Sequence, residues 1–257
     1  MSMNLYTEYR ENSGKPELVL LHGWGMSSQV WGEFAEQLAQ YFSLTLIDLP
    51  GLGRSQEFPE PYTTDAVVEI LSAHAPDKAF WLGWSMGGQI ATAFAARYPQ
   101  RVLKLVMLAS NPCFVQREDW QPAMDEETHS QFENSLSANV KKTLNRFIML
   151  QTQGAEQGRE ILKTLKTLLS GLEHSAPELS LSPLREDVRL LLAALPMPVL
   201  QLFGEKDLLV PVSAAEACTQ LTGRESIVYA GAGHLPFISH QEQVLDDVLQ
   251  FLQERVA

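Results

Sequence analysis

Residues 79–98 read AFWLGWSMGGQIATAFAARY. An apolar run, Ala79–Trp84, meets a helical pattern, Met86–Tyr98, across Gly83-Trp84-Ser85-Met86-Gly87. That pentapeptide matches G-x-S-x-G, which chance supplies in roughly one chain in ten. The setting is more specific than the motif. A serine between a buried strand and a helix sits where a nucleophile elbow needs it, with glycines permitting a sharp turn. Ser85 then projects above the strand ends, near the positive end of a helix. The same residues also fit an ordinary strand-to-helix turn with a serine near the N-cap.

Outward from this centre, further short apolar runs recur: Glu17–His22, Ser43–Asp48, Val102–Ala109, Pro198–Gly204 and Ser226–Ala230. Near-continuous apolar runs of this length read as buried parallel strands. Helical patterns at Gln29–Tyr41, Thr63–His74, Ser213–Leu221 and Gln241–Val256 alternate with them. The alternation predicts an α/β fold: a mostly parallel central sheet with helices on both faces. Asn4–Tyr9 is a candidate antiparallel edge strand. Between residues 113 and 195 the alternation stops. Amphipathic helical patterns punctuated at Gly154, Gly171, Pro177 and Pro183 predict a helical lid, with 1–112 and 196–257 forming the core of one domain.

A nucleophilic serine needs a base, and the base needs an acid. His234 follows the last apolar run, and loops at the C-terminal ends of parallel strands collect active-site groups. His240 reads as a surface or capping residue before the last helix. His129 and His174 lie in polar stretches and read as solvated. Asp207, after the run ending at Gly204, completes the order Ser85, Asp207, His234, with Glu205 as the alternative acid. An oxyanion hole would draw one amide from Met86 and another from the loop His22-Gly23-Trp24-Gly25, at Trp24. That stretch reads equally as a glycine-rich turn around a buried tryptophan.

The ordered set LLHGWG, DLPGLGRS (Asp48–Ser55), GWSMGG (Gly83–Gly88), FGEKDLLVP (Phe203–Pro211) and AGHLPFISH (Ala232–His240) resembles the α/β-hydrolase superfamily over nearly the whole chain. HGWG, WLGWSMGG, SNPCF (Ser110–Phe114), RFIMLQTQG (Arg146–Gly154) and HLPFISH are similar to the pimeloyl-[acyl-carrier protein] methyl ester carboxylesterases of biotin synthesis. This resemblance implies hydrolysis of a methyl ester on a pimeloyl chain borne by acyl carrier protein. It implies a monomeric cytoplasmic enzyme with neither metal nor organic cofactor. It implies substrate contacts at Trp24, Ser85, Met86, Phe147, Gln151 and His234. Departures are small: Met86 where leucine is usual, and Gly233 and Leu235 where alanines flank the histidine. A general short-chain carboxylesterase acting on free esters is the alternative reading.

Composition sets bounds on all of this. The 257 residues are 45% hydrophobic and 19% charged, as in globular proteins. Met1–Arg10 lacks the basic-then-apolar pattern of a secretory signal, and no apolar run is long enough to span a bilayer. Two cysteines make no disulfide framework. A net charge of −12 argues against nucleic acid or an anionic membrane as partner. Yet Lys141, Lys142, Arg146, Arg159, Lys163 and Lys166 crowd into one short stretch, opposed only by Glu156 and Glu160. Helical spacing lets these cations share faces. On an acidic chain such a patch would steer an acidic partner, although a solvated helix face is the simpler reading. The resemblance implies carrier-protein docking at Lys142, Arg146, Arg159 and Lys163.

Overall fold

A computed structural model describes residues 3–172 and 174–254. In chain order they form β1 (Thr7–Arg10), β2 (Glu17–Leu21), α1 (Gly32–Leu38), β3 (Ser43–Ile47), α2 (Thr64–Ser72), β4 (Ala79–Trp84), α3 (Met86–Arg97) and β5 (Val102–Leu108). Then follow α4 (Glu126–Ala138), α5 (Val140–Thr152), α6 (Gly158–Leu169), α7 (Arg189–Ala193), β6 (Val199–Gly204), α8 (Ser213–Thr222), β7 (Ser226–Tyr229), α9 (Pro236–Ser239) and α10 (Gln241–Gln253).

The seven strands make one sheet in the order β1-β3-β2-β4-β5-β6-β7. Only β1 runs antiparallel, pairing Thr7 with Ile47 and Arg10 with Leu44. Side chains alternate across the sheet, as a period of two requires. Val19, Leu21, Trp81, Leu105 and Met107 pack with α2 and α3 residues such as Val67, Leu71, Ile90 and Phe94. Leu18, Leu20, Leu82, Trp84, Val106 and Leu108 face the other way, against Phe34 and Leu38 of α1 and Val244 and Val248 of α10. Both faces are therefore covered by helices, and the central strands read as apolar without alternation for that reason.

Parallel register brings the working strand ends together. Leu21 lies opposite Gly83, Trp84 opposite Leu108, Leu108 opposite Leu202, and Gly204 opposite Tyr229. The strand order reverses between β2 and β4, and open sheets form their crevice at such a point.

Three expectations need correction. Gln29–Tyr41 is not one helix: a 3-10 turn at Ser28–Trp31 ends at Gly32, whose φ of +38° breaks it from α1. The edge strand is Thr7–Arg10 rather than Asn4–Tyr9. Pro183 does not punctuate but lies inside a 3-10 helix, Leu179–Arg185. The last helix was expected to reach Val256, which lies outside the described residues.

The segment between β5 and β6 carries α4, α5, α6 and α7. Asp125 caps α4 by accepting from the Thr128 amide, and Asn139 caps α5 by accepting from the Lys142 amide. Asn139, at φ −161°, breaks α4 from α5. The two ends of the segment meet where Cys113 bridges Asp187 and the Val188 amide donates to Pro112. Cys113 and Cys218 are both buried and free.

Candidate active site

Ser85 occupies the turn from β4 to α3 with φ +55° and ψ −124°. That region costs a non-glycine residue about 1–3 kcal/mol and persists only where surroundings over-determine it. Here they do. The Ser85 amide donates to Leu108 O at 2.9 Å. Its carbonyl accepts from the Gly88 amide at 2.9 Å and from Ser110 Oγ at 2.7 Å. The two motif glycines are sterically required. A Cβ on Gly83 would strike Gly87 O, and a Cβ on Gly87 would strike Leu21 O and, at 2.6 Å, His22 O. The close approach of α3 to the end of β2 is thus written into the motif.

His234 and Asp207 meet beyond the ends of β7 and β6. His234 Nδ1 and Asp207 Oδ2 lie 2.7 Å apart, with both side chains 1% exposed. Asp207 Oδ1 accepts from the amides of Leu209 at 2.8 Å and Val210 at 3.0 Å. The carboxylate thus accepts at both oxygens, which orients the ring with its proton on Nδ1 and leaves Nε2 as the open nitrogen. Nε2 is buried without a hydrogen-bond partner among the described residues. The His234 loop is held by its main chain: the carbonyl accepts from Trp84 Nε1 at 2.8 Å, and the amide donates to Gln151 O at 3.3 Å. Ser85 Oγ likewise makes no hydrogen bond to a described residue. Catalytic hydrogen bonds are often loose until substrate arrives.

The alternative residues fall elsewhere. Glu205 accepts from the Gly231 amide at 2.9 Å and pairs with Lys206, away from His234. His240 lies between Ala230 O and Ser239 Oγ. His129 is buried and His174 half-buried, so neither is a fully solvated surface residue. His129 is 3% exposed, with neither ring nitrogen hydrogen-bonded among the described residues and Nδ1 3.6 Å from Glu133 Oε1. His174 Nδ1 accepts from the Gly53 amide at 3.0 Å, and burial pushes its pKa down to about 4.

The loop after β2 reaches Ser85 directly, since a Cβ on Gly23 would lie 3.1 Å from Ser85 Cβ. Neither the Trp24 nor the Met86 amide donates to a protein group among the described residues, so both are free for a ligand oxygen. Residues that sequence reasoning left without a role support this loop. His22 Nε2 accepts from the Leu49 amide at 2.9 Å, so Nδ1 carries the proton and donates to Gly23 O at 2.8 Å. Burial holds the His22 pKa below its ordinary value, keeping the ring neutral. Asp48 accepts from the Ser28 amide at 2.7 Å and from Arg54 Nε at 3.0 Å. Asp48 and Arg54 stand in the DLPGLGRS stretch, which was the only signal available for them.

The Trp24 side chain points to the inserted segment. Its Nε1 donates to Ser180 Oγ at 3.0 Å and Pro177 O at 3.2 Å, and its ring meets Phe132 and Phe147 edge-on. Phe147 is half-buried on α5. One turn on, Gln151 is 1% exposed, and neither Oε1 nor Nε2 of its amide has a partner among the described residues. An unpaired buried amide is costly, and a polar ligand would satisfy it. Lys142 and Arg146 on α5, and Arg159 and Lys163 on α6, are exposed. Among the described residues none of the four is in an ion pair. A groove of about 930 Å³ runs between Arg54 and the helices, lined by Lys141, Leu144, Asn145 and Lys166. Among the described residues no cluster of three or more His, Cys, Asp or Glu side chains could hold a metal ion. No described helix is long and apolar enough to cross a membrane.

Known proteins resemble this chain in sequence and in fold. The family profile described as alpha/beta hydrolase fold matches residues 16–241. A Pectobacterium carotovorum subsp. carotovorum (strain PC1) protein named pimeloyl-[acyl-carrier protein] methyl ester esterase is 40% identical over 250 residues, spanning 95% of this chain and 96% of its own. A Yersinia pestis protein of the same name is 38% identical over 253 residues, spanning 96% of each chain. Among solved structures, an Exiguobacterium antarcticum esterase superposes with a TM-score of 0.84 at 20% identity, covering 97% of this chain and 96% of its own. A Bacillus anthracis bromoperoxidase gives 0.87 at 19% identity, covering 97% and 95%. Likeness at that identity speaks for the fold alone. The chain belongs to the alpha/beta hydrolase fold family, in the group that includes these pimeloyl-[acyl-carrier protein] methyl ester esterases.

Proposed function

We propose that this protein is a serine carboxylesterase that hydrolyses the methyl ester of pimeloyl-[acyl-carrier protein], giving methanol and the free acid for biotin synthesis. The observation that carries the chemistry is the buried Asp207–His234 pair, tied by Trp84 to the strand that ends in the strained Ser85 elbow. The substrate assignment rests on full-length identity of 38–40% to proteins of that name.

Ser85 Oγ attacks the ester carbonyl carbon while His234 Nε2 takes its proton. Asp207 stabilises the imidazolium so formed. The Trp24 and Met86 amides donate to the tetrahedral oxyanion, a contribution of about 3–4 kcal/mol per donor in comparable sites. The C–O bond to the methoxy group breaks, and His234 returns the proton to release methanol. Water, deprotonated by His234, then attacks the acyl carbon, and as the bond to Ser85 Oγ breaks His234 hands that proton to Oγ, releasing the acid and free Ser85. In this reading Phe147 and Gln151 guide the acyl chain, and residues 113–195 act as a lid. The cations Lys142, Arg146, Arg159 and Lys163 receive the acidic carrier, whose thioester end stays outside. The enzyme works as a cytoplasmic monomer.

The test is a side-by-side rate comparison of methyl pimeloyl carrier protein with free methyl esters of similar chain length. A kcat/KM at least tenfold higher for the carrier-bound ester is expected. Equal values would make the protein a general short-chain carboxylesterase. Rescue of a biotin-requiring strain lacking the methyl esterase tests the pathway.

A further inference from the structure

The oxyanion loop is tied to the inserted segment through one side chain. Trp24 Nε1 donates to Ser180 Oγ across 156 residues of sequence. Ser180 is fully buried, and its hydroxyl proton goes to Pro177 O at 2.9 Å, which leaves the oxygen lone pairs to the indole. The arm that carries Ser180 is itself anchored. The Ser175 and Ala176 amides both donate to Gly51 O at 3.1 Å, and Gly53 donates to His174. A Cβ on Gly51, whose φ is +68°, would lie 2.7 Å from Ala176 Cβ, so the arm and the 48–56 loop pack without clearance. That loop in turn holds the oxyanion loop, through Leu49 to His22 and Asp48 to Ser28. The three segments close a ring: 22–28 to 48–56, 48–56 to 174–180, and 174–180 back to Trp24.

A ring of this kind fixes main chain, because each loop is held from two sides. What Trp24 offers the reaction is its main-chain N–H, and it is free. We propose that Ser180 is a positioning residue. Through the Trp24 indole it sets where the Trp24 amide stands, so the inserted segment tunes the oxyanion hole as well as covering it. This rests on the reading of Trp24 as an oxyanion donor. Misplacement of a catalytic group by about 1 Å costs on the order of 10²-fold, so a partly released loop has a measurable rate effect. Ser180→Ala leaves the weaker bond to Pro177 and loosens the ring. Trp24→Phe keeps an aromatic ring against Phe132 and Phe147 but removes both indole bonds.

The experiment is a double-mutant cycle on p-nitrophenyl acetate, a substrate too small to need the lid or the carrier. Ser180→Ala is expected to lower kcat about tenfold with KM within twofold. Trp24→Phe should lower kcat at least as much, and adding Ser180→Ala to it should change nothing further. Affinity for an aryl trifluoromethyl ketone, whose hydrate oxyanion mimics the transition state, should fall in step with kcat/KM. Thermal melts check that each variant is folded. Additive losses in the double variant would overturn the proposal. So would a rise in KM at constant kcat, which would make Trp24 a wall of the substrate pocket and nothing more. Failure of the carrier-bound substrate would leave this result untouched, and an active Ser85→Ala would remove the triad reading without producing the coupling.

Discussion

The indole of Trp84, the residue just before Ser85, donates to the main-chain carbonyl of His234 at 2.8 Å. Strand β4 therefore holds both partners of the proposed proton transfer: Ser85 by covalent bond and His234 by this hydrogen bond. Trp84→Phe keeps the ring but orphans a buried carbonyl, at a cost of about 1–3 kcal/mol. A fall in Tm of a few degrees and a roughly tenfold lower kcat are expected. Thermal melts and steady-state rates on a p-nitrophenyl ester check this, and an unchanged kcat would show that the histidine loop is held well enough without Trp84.

Asp207→Asn addresses the acid. The variant can still accept from Leu209 and Val210 through its oxygen, which turns its NH₂ toward His234 Nδ1. The imidazole must then carry its proton on Nε2 and cannot take one from serine. A loss of about 10³–10⁴ in kcat at pH 7 is expected, as in other triads. Ser85→Ala and His234→Ala should lose at least as much. Substantial turnover by Ser85→Ala would end the nucleophile assignment, and turnover by His234→Ala would move the base to His240.

Charge reversal tests the docking face. Arg146→Glu with Arg159→Glu should lower kcat/KM for the carrier-bound ester by at least tenfold at low ionic strength. The gap should narrow as salt is added. A small free ester should be hydrolysed within twofold of the parent rate. Equal losses on both substrates would mean that the substitutions disturb the lid rather than a docking surface.

His174 gives a pH signature for stability. Its pKa is about 4 in the folded protein and about 6.5 when unfolded, so between those values the unfolded chain binds more protons. Stability is therefore complete above pH 6.5 and falls as the pH drops toward 4. Burial lowers the His22 and His129 pKa values in the same sense. His174→Asn can still accept from Gly53 and should flatten part of the slope in urea melts between pH 7 and 4. An unaltered slope would assign the pH effect to His22 and His129.

The strands, the sharp turn at Ser85 and the positions of Asp207 and His234 after strand ends were legible because each is announced locally. Ala79–Trp84 is apolar throughout, and Asp207 and His234 follow strand ends. The supports were hidden because their partners are remote. Nothing near His174 foretells a bond to Gly53, and nothing near Trp24 foretells Ser180. His129 misled for a different reason. It stands among Glu126, Glu127, Thr128 and Ser130, but shares its helix face with Phe132 and Leu136, at spacings of three and seven. The helix period, not the polarity of neighbours, decided its burial. Gly32 split a predicted helix by a positive φ that an apolar pattern does not encode.

The chain leaves the sheet near Cys113 and returns beside it at Asp187, so the ends of the inserted helices are already a short turn apart. Excising the segment would ask for a brief linker and little extra loop closure, while β5 and β6 kept their register. On the proposed reading, the fold thus separates what reacts from what is admitted. Recombination at that neck could exchange one specificity cassette for another on an unaltered catalytic frame, provided that the newcomer supplied its own grip on Trp24.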